Sequence, residues 1–146
     1  MSKLLADPAV SLCFQVVVDG KDLGTFFKCD GLGVQVSTEE REEGGNNFYV
    51  HQLAGRLRYT NVTLTRYISA ETQKVAQWFA SMATGVKRTT AVITAMTSDL
   101  KPIASWNLID VIPVLWTGPS LGVDATQAAT ETLELAHHGF LDPGKA

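Results

Sequence analysis

Apolar residues occupy alternate positions through Leu12, Phe14, Val16 and Val18, and again through Leu23, Thr25, Phe27 and Cys29, with Asp19-Gly20-Lys21-Asp22 between the runs. Successive side chains of a strand point to opposite faces, so a period of two marks a half-buried strand. An Asp-Gly pair between two such runs marks a hairpin turn. Pairing Val18 with Leu23 sets Phe14 opposite Phe27 and Leu12 opposite Cys29 on one face. Cys13 then points to the other face, so Cys13 and Cys29 read as free thiols rather than a disulfide.

The same reading continues along the chain. Val34, Val36 and Thr38 give a third strand, which runs into the acidic stretch Glu39-Glu40-Arg41-Glu42-Glu43. From Gly44 to Arg58 no period is visible, and the segment reads as a loop rich in contact-forming side chains, with Phe48, Tyr49, Arg56 and Arg58 and then Tyr59. Val62 and Leu64 alternate with Thr63 and Thr65 in a fourth strand. The period then changes to 3.6, with Val75, Trp78, Phe79 and Met82 at helical spacing, Ser69 placed as N-cap, Glu71 in the first turn and Gly85 past the end. Thr89–Thr97, Ile103–Ile112 and a last strand from Thr130 through Leu133 and Leu135 to Phe140 complete a set of seven. Pro113 and Gly118-Pro119 break the stretch between, and 124–128 reads as a loop. The fold class expected is mainly β, a two-sheet β-sandwich or barrel with one flanking α-helix. A single domain over 1–146 is expected, with 1–9 and 142–146 as flexible or assembly-ordered ends.

Composition narrows the function. A chain of 146 residues can bury about 70% of its unfolded surface and needs no metal or disulfide to fold. With 12 Lys and Arg against 15 Asp and Glu, and a net charge of −3, the chain lacks the basic footprint that neutralises phosphates. Specific nucleic-acid binding is not expected. No stretch approaches the roughly 18 apolar residues of a membrane span, and the apolar run near Met1 is too short for a signal peptide, so synthesis in the cytoplasm is expected.

No constellation of catalytic residues emerges. His137 and His138 are strand neighbours facing opposite ways and cannot share a metal ion; His51 has no ligand partner at a useful spacing. The glycines at 31, 33, 44 and 45 match no phosphate loop, and there is no Gly-x-Ser-x-Gly elbow. Trp78 and Phe79 read as core anchors. No cofactor, metal or catalytic residue is assigned. The acidic run is either a solvated strand end or a subunit contact, its charges pairing with Arg56, Arg58 or Arg66 of a neighbour.

The order Glu42-Glu43-Gly44-Gly45-Asn46-Asn47, Leu53-Ala54-Gly55 and Tyr59-Thr60-Asn61-Val62-Thr63-Leu64-Thr65-Arg66 resembles the tail tube proteins of contractile phages and phage-tail-like injection systems. Phe14-Gln-Val-Val-Val, the Asp30-Gly31-Leu32 turn, the helix with Trp78, the strand through Trp106 and Asn107, and Glu131-Thr-Leu-Glu-Leu-Ala-His-His-Gly-Phe140 extend the match from about residue 10 to 141. Ala54 replaces the usual Pro, and Tyr67-Ile68 the usual Gly after Arg66.

The resemblance implies a structural subunit forming six-membered rings that stack into a hollow tube inside a contractile sheath. Its partners would be further copies of itself, the sheath protein, and baseplate or initiator and cap proteins, with cargo in the lumen and no membrane insertion. It would assemble in the bacterial cytoplasm and end in a tail or injection particle. Glu42, Glu43, Gly44, Gly45, Asn46, Asn47, Phe48, Tyr49, Arg56, Arg58 and Tyr59 are the candidate inter-subunit contacts. Thr63, Thr65, Thr132 and Glu134 are the candidate lumen wall. Two alternatives stay open: a tube initiator or baseplate-side ring of the same family, and a monomeric β-barrel binding a small apolar ligand.

Overall fold

Why the chain curls into a barrel is visible in its first hairpin. In a computed structural model describing residues 12–41, 51–119, 122 and 129–140, β1 (Leu12–Val18) and β2 (Lys21–Phe26) pair around a two-residue Asp19-Gly20 turn. Both turn residues have positive φ, 51° and 77°, the twisted turn that suits a right-handed hairpin. Val18 therefore pairs with Lys21, not Leu23, and a bulge at Leu23 brings Phe14 against Phe26. The expected four-residue loop is shortened because Asp-Gly alone can turn the chain, and the bulge absorbs the difference.

The second run does not continue as one strand. It breaks at Phe27, and β3 (Lys28–Asp30) leaves β1 to pair with β6 (Val62–Tyr67). Cys29 thus faces Leu64 across β3 and β6 rather than Leu12, and Cys13 and Cys29 are both free. The seven-stranded sheet runs β2-β1-β7-β8-β9-β6-β3, all antiparallel, with β7 at Thr89–Thr97, β8 at Pro102–Thr117 and β9 at Thr130–Ala136. Its two edge strands are consecutive in the chain, and the Phe27 amide donates to the Thr65 carbonyl at 3.0 Å, so the sheet closes on itself. Inside lie Val16, Phe26, Leu64, Ile93, Leu108, Val111, Leu133 and Leu135, each fully or nearly fully buried.

β8 is longer than the expected Ile103–Ile112. It passes from β7 to β9 through Asp110, whose φ of 52° bends the strand, and Pro113 sits beside a bulge, where a missing N–H costs no ladder bond. The helix α1 (Thr72–Ser81) begins three residues after Ser69, whose hydroxyl accepts the Glu71 amide, and a 3₁₀ turn follows at Met82–Thr84. Val75 is buried, and Trp78 and Phe79 pack against the core, as the helical spacing predicts. Among the described residues no helix is long and apolar enough to cross a membrane.

The remaining two strands, β4 (Val34–Arg41) and β5 (His51–Tyr59), pair only with each other. Nine strands are present among the described residues, two more than expected: β3 comes from the break at Phe27, and β5 lies where a loop was expected. Residues 54–58 of β5 are exposed on both faces, so no alternation marks the strand.

At the root of this hairpin the chain turns at Gly31, φ +94°, where any side chain would collide with the Asn61 carbonyl. Replacing Gly31 with Ala is expected to lower stability by about 1–3 kcal/mol, read as a lower urea midpoint with an unchanged slope.

Candidate assembly surfaces

The β4–β5 hairpin is an arm. Val34, Val36 and Leu57 are 54, 44 and 55% exposed although they sit together, Val36 directly opposite Leu57 and Val34 opposite Tyr59. Gln35 pairs with Arg58 on the other face, and Arg56 lies in a bulge where its carbonyl accepts from the Ser37 hydroxyl at 3.2 Å. Arg56 and Arg58 are exposed. Each strand also keeps one edge unpaired among the described residues. Glu42, Glu43, Gly44, Gly45, Asn46, Asn47, Phe48 and Tyr49 lie outside the described residues, as do the chain ends and 124–128.

Tyr59 fixes the arm to the barrel. It packs edge-on against Phe140, with ring centroids 5.3 Å apart, and against His137 at 5.6 Å. The Thr60 hydroxyl donates to the Gly31 carbonyl at 2.7 Å. His137 accepts the Gly139 amide on Nδ1, so its proton sits on Nε2, 3.0 Å from the Thr60 carbonyl. His138 turns outward to Asp110, 3.2 Å away. The expected strand through Phe140 ends at Ala136, so both histidines lie past it, His137 buried and His138 exposed.

Thr63, Thr65, Thr132 and Glu134 come together on the outer face of the sheet. Thr65 stands between Lys28 and Thr132, and Thr63 between Asp30 and Glu134; Thr117 and Leu115 extend the two rows. Asn61 donates to Glu134 at 2.7 Å. Thr63, Thr65, Thr132 and Glu134 are half-buried, and beside them lie the exposed Lys28 and Asp30, 3.6 Å apart.

Arg66, expected as a possible partner for a neighbour's acidic run, is instead committed inside the subunit. Its guanidinium Nε donates to Glu131 at 2.9 Å, with side-chain exposures of 4% and 0%. It also donates to the Leu23 carbonyl and lies 4.3 Å over the Phe26 ring. Glu131 further accepts from the Thr72 hydroxyl at 2.5 Å and the Trp116 indole at 2.8 Å. Burial would raise the Glu131 carboxyl, but these hydrogen bonds and the guanidinium charge outweigh it and hold the pKa below the usual carboxylate value. Cys29, in contrast, is pushed up to about 11 by burial and by Asp30, which keeps it a neutral thiol.

A closed barrel with a filled interior, one flanking helix and one hairpin arm has counterparts among known proteins. The sequence pattern of the family described as T4-like virus tail tube protein gp19 matches residues 10–141. The chain belongs to that family. Among solved structures, this tail tube protein is similar to a chain of the sheath–tube complex of an extracellular contractile injection system, PVC, in the extended state. The TM-score is 0.76 at 20% identity, covering 97% of this chain and 95% of that one. A chain of the anti-feeding prophage baseplate gives 0.74 at 22% identity, covering 93% and 95%. Hcp1 from Salmonella typhimurium gives 0.54 at 16%, covering 87% and 82%. No curated protein sequence matches. Membership of a structural tube family, and a barrel interior packed with Leu, Ile and Phe, leave the monomeric ligand-binding alternative without support.

The buried ionic pair makes two measurable claims about this tail tube protein. Changing Glu131 to Gln strands the Arg66 charge and is expected to cost about 3–5 kcal/mol, whereas the apolar double variant Arg66→Met/Glu131→Leu recovers most of that loss. Because the folded pKa of Glu131 is depressed, its contribution is complete above the ordinary value of 4.5 and disappears as pH falls through the lower folded value. Denaturation curves from pH 7 to pH 2 should therefore fall less steeply for Glu131→Gln than for the parent.

Proposed function

We propose that this chain is the repeating inner-tube subunit of a contractile injection system or phage tail, built into six-membered rings that stack around a lumen within a sheath. One observation carries the reading: among the described residues, this tail tube protein presents a β-hairpin whose Val34, Val36 and Leu57 are exposed and whose two outer edges are unpaired. A two-stranded hairpin without a covered face is marginal in water, and unpaired edges invite strand addition. Neighbouring subunits provide the missing cover and edges.

The arm is the inter-subunit or inter-ring contact, through Arg56, Arg58 and Tyr59 and the adjoining Glu42, Glu43, Gly44, Gly45, Asn46, Asn47, Phe48 and Tyr49. The face carrying Thr63, Thr65, Thr132 and Glu134 lines the lumen. Its hydroxyls stand beside Glu134 and the Lys28–Asp30 pair, so the wall is polar there. The role is mechanical, with no bond made or broken and no catalysis. Partners are further copies of the chain, the sheath, baseplate and cap proteins; the likeness to a chain of a sheath–tube complex supports this. Assembly takes place in the bacterial cytoplasm, and the product is part of a tail-like particle.

A second reading, an initiator ring on the baseplate side, is favoured by the likeness to a chain of a six-fold baseplate structure. Electron microscopy of the purified chain over a concentration series separates the two. A tube subunit gives hollow particles that lengthen with concentration, an initiator stops at single rings, and a strict monomer overturns the proposal. Val36→Asp/Leu57→Asp, on the exposed arm, is expected to leave the melting temperature within about 2 °C while abolishing rings. Bulky replacements at Gly44 and Gly45 are expected to do the same.

A further inference from the structure

β8, at 16 residues, is the longest strand among the described residues, and the strands on its two sides cover different stretches of it. β7 pairs along one edge from Pro102 to Val111, and β9 along the other from Ile112 to Thr117. After β9 ends at Ala136 the chain stays on that second edge for a few residues more. Leu108 bridges Phe140 antiparallel, the Ile109 amide donates to the Gly139 carbonyl at 3.0 Å, and the Ile109 carbonyl accepts the His138 amide at 2.9 Å. Past this bridge, among the described residues, no strand lies on that edge of β8.

Consecutive residues of a strand send their backbone N–H and C=O to alternate edges. Ile109 sends both to Gly139 and His138, so Asn107 and Ser105 send theirs to the same edge, and the shift of register between Ala104 and Pro102 ends the run. Pro102, Ile103, Ala104 and Ser105 are exposed and Asn107 is half-buried. A run of this kind is a template on which another chain can add.

Leu141, Asp142 and Pro143 follow Phe140 in the chain. Counting on from the Leu108–Phe140 bridge sets Leu141 opposite Asn107 and Pro143 opposite Ser105. Leu141 has the N–H and C=O to exchange both bonds with Asn107. Pro143 has no N–H to give the Ser105 carbonyl, and its ring stands where one would be, so the ladder stops there. Asp142 places a charge between the two. Proline and charge at a strand edge are the means by which proteins keep sheets from joining.

We propose that Leu141, Asp142 and Pro143 form an edge guard, Leu141 pairing with Asn107 and Asp142-Pro143 closing the edge of β8 to any second chain. The guard does not rest on the tube reading. It leaves the edges of the β4–β5 arm, and not those of the barrel, as the place for strand addition.

Amide exchange followed by NMR on the dispersed protein tests the pairing. Ending the chain after Phe140 is expected to speed exchange at Asn107 by roughly tenfold or more and to leave Ile109, held by Gly139, within about twofold. Leu141→Pro is expected to act in the same direction and decides if the shortened chain fails to fold. The guard itself is tested by Asp142→Val/Pro143→Val, expected to give thioflavin-binding sheet aggregates at concentrations where the parent gives none. An Asn107 amide that exchanges freely in the parent, that neither variant alters, or that is protected only at high concentration, where a strand of another copy covers it, overturns the pairing. A double variant that binds no more thioflavin than the parent overturns the guard.

Discussion

The carboxylate of Glu131 is the point at which five elements of the fold are tied together. It receives β6 through Arg66, β8 through Trp116 and the helix through Thr72, while Arg66 passes the link on to the Leu23 carbonyl and the Phe26 ring of β2. These contacts lie where the sheet must close, between the strand pairs at its two ends. Apolar packing is permissive about geometry, but an ionic pair without water is not. A shift that separated Arg66 from Glu131 would leave both charges buried and unpaired, an expense far above that of repacking a leucine. The network thus fixes the curvature of the barrel and the seat of the helix, whatever it adds to net stability.

From that frame the molecule divides into a part that is complete and a part that is not. The barrel buries its apolar face on itself, and the aromatic contacts of Tyr59 with His137 and Phe140 anchor the root of the arm. Among the described residues no other strand pairs with the arm beyond its root, and Val34, Val36 and Leu57 meet solvent. Local stability follows buried contacts, so the arm opens at a lower free energy than the barrel that carries it. Incomplete elements of this sort are common where a surface is finished by another molecule.

Much of this was legible in the residues, and the misses have a common cause. Alternation reports one buried face; it located β1, β6, β7 and β9 and failed for β5, whose residues 54–58 are exposed on both faces. The break at Phe27 was hidden because both sides of it keep the same apolar parity, and only pairing with β6 reveals that the strand has changed neighbours. The resemblance to tail tube proteins was carried by motifs spread along the chain, which survive such local errors. The Arg66–Glu131 pair was within reach. Arg66 shares the parity of Val62 and Leu64, and Glu131 that of Leu133 and Leu135, so two opposite charges pointed into one core. Parity places each of them inward; that they meet follows only from the β6–β9 pairing, which sets Arg66 opposite Glu131.

That division of labour bears on how a tube could grow. In the proposed assembly the arm becomes fully covered only when a neighbour is present, so part of the contact energy goes into ordering it, and each contact is weaker than its area suggests. A single pair of subunits then bears the ordering cost for one contact. A subunit joining an existing ring or stack gains several contacts at once, with the first holding the others at high effective concentration. Such a chain stays dispersed at low concentration and extends readily from a preformed ring. The rigidity of the barrel makes this work, since a core fixed by Glu131 presents the same surfaces at every step and lets many weak contacts add along the tube.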